Sequence, residues 1–221
     1  MEVTPALVLA MWGSGLAGGA ALVSSWGVVG PGYGWLAAGV LVTVGGATAL
    51  AAGSPLGVAA SIAALLGGVL ARNRVVATAL FALSGLGLLG VAFPDGGVIP
   101  SITGAVFLGG ITAEMMLGHW FLVDPRLPRW ALQRLDVIAA IGLGADVAVI
   151  AALGGFGAGD AVMIAAMVAL AFMTALLVAA VWFSLRETGY SGVMAATGLS
   201  YLGVLTAFGT AVVGRLLVAG L

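Results

Sequence analysis

Eight apolar runs, each near the length that crosses a bilayer, follow one another through this chain with only short polar breaks between them. They cover roughly Ala6 to Val29, Gly34 to Ala52, Leu56 to Ala71, Val75 to Phe93, Ile99 to Val123, Leu135 to Leu153, Ala161 to Ser184 and Gly192 to Val218. Few folds are open to such a sequence, because a segment in hydrocarbon must satisfy its own backbone hydrogen bonds. Helices fit better than a barrel. A transmembrane barrel alternates apolar and polar residues in segments of about ten, whereas these runs are longer and apolar on every face. The breaks carry turn chemistry, as in Gly30-Pro31-Gly32, Gly53-Ser54-Pro55, Pro94-Asp95-Gly96-Gly97 and Asp124-Pro125. The third run is short for a hydrocarbon core of about 30 Å, which leaves a thinned, broken or re-entrant segment open there. The expected fold is an all-α integral membrane protein: a polytopic bundle of about eight transmembrane helices with short loops, no soluble domain, and one transmembrane domain over residues 1–221.

A soluble domain is excluded by its surface, since only 7% of the residues are charged while 62% are hydrophobic. A net charge of −1 with scattered arginines argues against a nucleic-acid partner. Without cysteine the chain has no disulfide, no thiol nucleophile and no cysteine metal site. Met1 to Pro5 lacks the basic region of a cleavable signal, so the first run is expected to be retained. The 37 glycines allow close helix packing in lipid, but so many make the Gly15/Gly19 match to a GxxxG motif weak by itself.

Six of the seven arginines fall on one side of an eight-span topology: Arg72 and Arg74, then Arg126, Arg129 and Arg134, then Arg186. Short cytoplasmic loops retain positive charge, so this side is expected to be cytoplasmic and both termini to lie opposite. Arg215, near the end of the last run, is the lone exception. The expected location is the cytoplasmic (inner) membrane of a prokaryote.

Acids inside apolar runs are costly and mark functional sites. Counting about 1.5 Å per residue, Glu114 lies roughly 15 Å in from Asp124, and Asp146 roughly 18 Å in from Arg134. The two acids are thus expected near the midplane, facing one another from antiparallel neighbours. With no base predicted at that depth, desolvation and like-charge repulsion favour a shared proton, a neutral pair or a bound cation. His119 stands between the pair and the arginine-bearing loop, where an imidazole is suited to pass protons, although it is about 140° around the helix from Glu114. Asp136, Asp124 and Arg134 are expected at the cytoplasmic entrance.

A single histidine cannot supply both axial ligands of a haem within one chain, and Glu114, His119 and Asp146 lack metal-site spacing, so no metal is assigned. No serine sits in a nucleophile setting, and no independent catalytic activity is expected. Two function classes remain. In the first, the chain is a membrane-embedded subunit of an energy-transducing assembly whose midplane acids handle protons beside a quinone, or beside a haem shared with a partner chain. In the second, it is a small proton- or cation-coupled transporter or channel. Lipid surrounds it in either case, with other membrane subunits or further copies of the chain as partners.

Overall fold

The computed structural model describes residues 1–157 and 160–220. Eight helices account for nearly all of them: α1 (Pro5–Trp26), α2 (Pro31–Ala52), α3 (Pro55–Val69), α4 (Arg74–Gly96), α5 (Val98–Trp120), α6 (Arg129–Ala152), α7 (Ala161–Ser184) and α8 (Tyr190–Ala219). Seven are long and apolar enough to cross a membrane, and no strand occurs among the described residues. The chain is a helical membrane bundle. Its helix ends follow local chemistry. Proline opens α1, α2 and α3, where its missing N–H has no helical partner to lose. Thr4 and Asn73 accept the free N–H groups of Leu7 and Val76. Gly27 and Gly53 end α1 and α2 in the left-handed region, at φ of 67° and 59°.

The largest boundary difference lies at α6, which begins at Arg129, six residues ahead of the apolar run at Leu135. Those turns are amphipathic: Ala131, Leu132 and Leu135 are buried while Trp130 and Arg134 stay exposed, so mean hydropathy hides a helix that packing retains. α5 stops at Trp120, short of Val123. The short α3 crosses the bundle. It stays opposite α2 along its length, with Gly57 against Ala49, Gly45 against Ser61, Gly68 against Ala38 and Ala71 against Gly34. Hydrogen bonds from Leu70 to Leu66 and from Asn73 to Leu70 carry the chain through the last stretch.

The helices form two rings of four. α1 packs on α2 and α4, and α3 closes the ring between them; α5 packs on α6 and α8, and α7 closes the second ring in the same order. The rings meet where α1 lies against α5. There Gly15 faces Ala105 and Gly109, and Gly19 faces Ala113, so closely that a Cβ on Gly15 or Gly109 would overlap the other helix's backbone. The Gly15/Gly19 pair, weak as a motif, is the contact that joins the halves. Trp12 adds a hydrogen bond of 3.1 Å from its indole N–H to the Thr112 hydroxyl.

Six arginines share one face of the bundle. Arg129 donates to the carbonyls of Thr188 and Gly189 across to the α7–α8 turn, at 2.7 and 2.8 Å. Arg134 lies over Trp130 and Trp26. On the opposite, terminal face, the Glu2 N–H donates to the Asp95 carbonyl and the Thr4 hydroxyl to the Asp95 carboxylate.

Candidate functional site

Every buried charged side chain among the described residues belongs to the second ring: Glu114, Asp136, Asp146 and Arg215. Helix register sets their depths. Gly110 of α5 lies against Ala139 of α6, and Gly142 against Phe107, which brings Asp136 to the level of Glu114 and Asp146 to the level of Thr103. Glu114 and Asp146 therefore do not meet. They are eleven residues of α5 apart in depth, about 16 Å, near opposite ends of the ring. The midplane expectation failed because both ends of the count were misplaced. Residues 121–124, counted as helix, form a turn, while Arg129 to Gln133, left out, are helix.

Near the terminal face, Arg215 neutralises Asp146, and both side chains are 1% exposed. The guanidinium donates to the two carboxylate oxygens at 3.0 and 2.8 Å, to the Ala211 carbonyl at 3.0 Å and to the Pro100 carbonyl at 2.7 Å. Thr103 donates to the same carboxylate at 2.7 Å. Gly104 makes the room, since a Cβ there would strike the guanidinium. This fork geometry is the strong form of ion pair, and it removes Asp146 as a mobile-ion site. Arg215, expected near the surface, is the fixed cation that sequence reasoning had not placed at depth.

The uncompensated acids are Glu114 and Asp136. Glu114 is 2% exposed and Asp136 4%, and both line one crevice with Ile111, Ala139, Leu177 and Ser200. Asp136 lies across the same crevice at the level of Glu114 and accepts no hydrogen bond from a described residue. Ser200 of α8 bonds Glu114 Oε2 and also donates to the Ala196 carbonyl at 2.8 Å, while Glu114 Oε1 has no partner. One hydroxyl proton cannot serve both acceptors. A protonated Glu114 donating to Ser200, with Ser200 donating to Ala196, satisfies the whole chain; an ionised Glu114 draws the Ser200 proton to itself.

Between these two clusters stands a third polar group. The Thr174 hydroxyl of α7 donates to Thr206 of α8 at 2.9 Å and lies 3.4 Å from Thr210. Ser200, Thr206, Thr210 and Arg215 thus carry polar chemistry along α8 from near the arginine face to near the terminal face.

The remaining expected residues lie elsewhere. His119 is exposed at the end of α5, with Nδ1 3.3 Å from the Tyr201 hydroxyl, turned away from the Glu114 crevice. Asp136 belongs to the buried site and not to an entrance. Asp124 pairs with Arg126 at 3.3 Å on the exposed α5–α6 turn. Arg134 stacks on Trp130, 4.5 Å from the ring centroid. Two grooves lie on this side of the second ring. One, of about 310 Å³ between α6 and α7, is lined by Asp136; the other, of about 450 Å³, is lined by Gln133, Arg134, Trp26 and Trp130, and they share Val137 and Trp182. Compared with known proteins, the chain matches no family model, no curated protein and no solved structure.

Proposed function

We propose that this membrane protein is a proton-coupled transporter whose proton path runs through the second helix ring. Glu114 and Asp136 load the proton, Ser200 follows the protonation state of Glu114, the threonine cluster of α7 and α8 continues the path, and the Arg215–Asp146 pair closes its far end. The observation that carries this reading is two buried carboxyls at one depth with no basic partner, because such a pair is stable only when it holds a proton or another cation. A loading site near one face and a neutral plug near the other is the asymmetry that gated exchange requires. The arginine face is cytoplasmic in this scheme, and the host membrane is a prokaryotic inner membrane. Proton flux into liposomes, followed with a pH-sensitive dye, tests it. Glu114→Gln and Asp136→Asn are each expected to slow flux at least about tenfold with folding intact, while His119→Gln leaves flux near that of the parent; unchanged flux in both acid variants overturns the reading.

A second reading, a proton-handling subunit of a quinone-linked assembly, draws on the apolar groove that Asp136 lines. Co-purifying redox subunits, or bound quinone or haem in the absorption spectrum, would select it.

A further inference from the structure

The groove between α6 and α7 has the chemistry of a binding site, and it deepens the transport reading by naming what is exchanged for the proton. Its walls are Val137, Ala140, Leu143, Val178, Ala179 and Trp182, all apolar or aromatic, and its volume is about 310 Å³. Asp136 lines it, 4% exposed and without a hydrogen-bond partner among the described residues. Across the adjoining crevice Glu114 Oε1 is fully buried and unpartnered. α7 opens the groove to the side: of its 24 residues only Met167, Thr174, Val178 and Val181 are buried, and α6 packs on it more sparsely than on α5.

We propose that this groove takes a lipophilic cation, an ammonium or pyridinium carried on an apolar body, which enters sideways from the bilayer and replaces the proton at Asp136. Charge complementarity selects the cation. Both acids at this depth lack a base, so a positive ligand head supplies the compensation that a neutral molecule of the same shape does not. The charged groups around the site are Glu114 from α5, Asp136 from α6 and, at its arginine-face end, Arg186 just beyond α7; α8 presents the neutral Ser200. Arg186 lies 5.1 Å from the Trp182 ring and Arg134 lies over Trp130, both toward the arginine face. Arg186 also lies 5.7 Å from the Phe183 ring, so the one cation near the groove stands at its arginine-face end, and Val137, Ala140, Leu143, Val178 and Ala179 carry no charge.

Octylpyridinium and its neutral isostere octylbenzene test this, with binding measured by equilibrium dialysis against the full chain in nanodiscs and against empty nanodiscs. Above about pH 8 octylpyridinium is expected to bind saturably over the empty-disc background, and octylbenzene to show no excess. Lowering the pH to about 5 should weaken binding at least tenfold through proton competition. Asp136→Asn should do the same at high pH. Ala140→Phe, at an exposed groove position, should abolish binding while the circular dichroism spectrum and thermal midpoint stay those of the parent. Equal excess binding of octylbenzene or of a short-chain quinol, or undiminished octylpyridinium binding in Asp136→Asn, overturns the assignment. A proton-release measurement on adding octylpyridinium separates the two proposals. Saturable binding without release keeps the ligand class and removes the exchange; Glu114-dependent flux with no cation binding removes the ligand class alone.

Discussion

Arg215 and Asp146 show what a single buried side chain does to its neighbours. The pair's net charge is zero, but each partner alone would be an uncompensated ion in a dry interior. Arg215→Met is therefore expected to destabilise the protein by about 3–5 kcal/mol, read as a lowered unfolding midpoint in detergent, whereas Arg215→Met with Asp146→Leu recovers most of that loss. A double variant as unstable as the single one would mean that packing, not charge, holds this corner together. The sequence carried a hint of this partnership. Arg215 was the one arginine on the wrong side of the topology, and an arginine that breaks the charge rule inside an apolar run needs an acid at its own depth. Ser200 left no comparable trace, because its meeting with Glu114 joins residues far apart in the chain through the register of two helices.

At the scale of the element, helix ends decided how much of the site could be read in advance. The apolar runs located all eight helices, since length and composition are strong signals for spanning segments. The start of α6 was hidden because Arg129 to Arg134 is helical through packing on one side only, and this offset moved Asp136 from an expected entrance into the buried site. The α1–α5 crossing was likewise hidden, since chance produces many small-residue pairs in a glycine-rich chain. Substitutions separate packed from unpacked glycines there. Gly15→Val and Gly109→Val, set against backbone, are expected to cost about 3 kcal/mol or more. Gly18→Ala, where a Cβ meets nothing within 4 Å, should be neutral or stabilising by up to about 1 kcal/mol. Thermal unfolding of the three variants in one detergent checks both expectations, and equal losses at positions 15 and 18 would remove the crossing as a determinant of stability.

For the whole molecule, the arginine distribution turns the bundle into a statement about orientation. The chain has no cysteine, so single cysteines can be placed without background. Substitutions at Asn73, Arg126 and Glu187 should react with a membrane-impermeant maleimide only from the cytoplasmic side, and those at Glu2 and Asp95 only from outside. Mixed labelling within either group would break the eight-span topology. Alternation of charge between successive loops made the shared arginine face legible from sequence, whereas the closing of eight helices into two rings depends on contacts that no local pattern encodes.

The depth of Glu114 also has an electrical consequence. It sits six residues from the Trp120 end of α5, about 9 Å, in a hydrocarbon layer of about 30 Å. On the proposed path, a proton reaching it from the arginine side would traverse roughly a third of the transmembrane voltage, or about 0.7 kcal/mol at 100 mV, and release past Arg215 would traverse the remainder, so a membrane potential would act on departure about twice as strongly as on arrival.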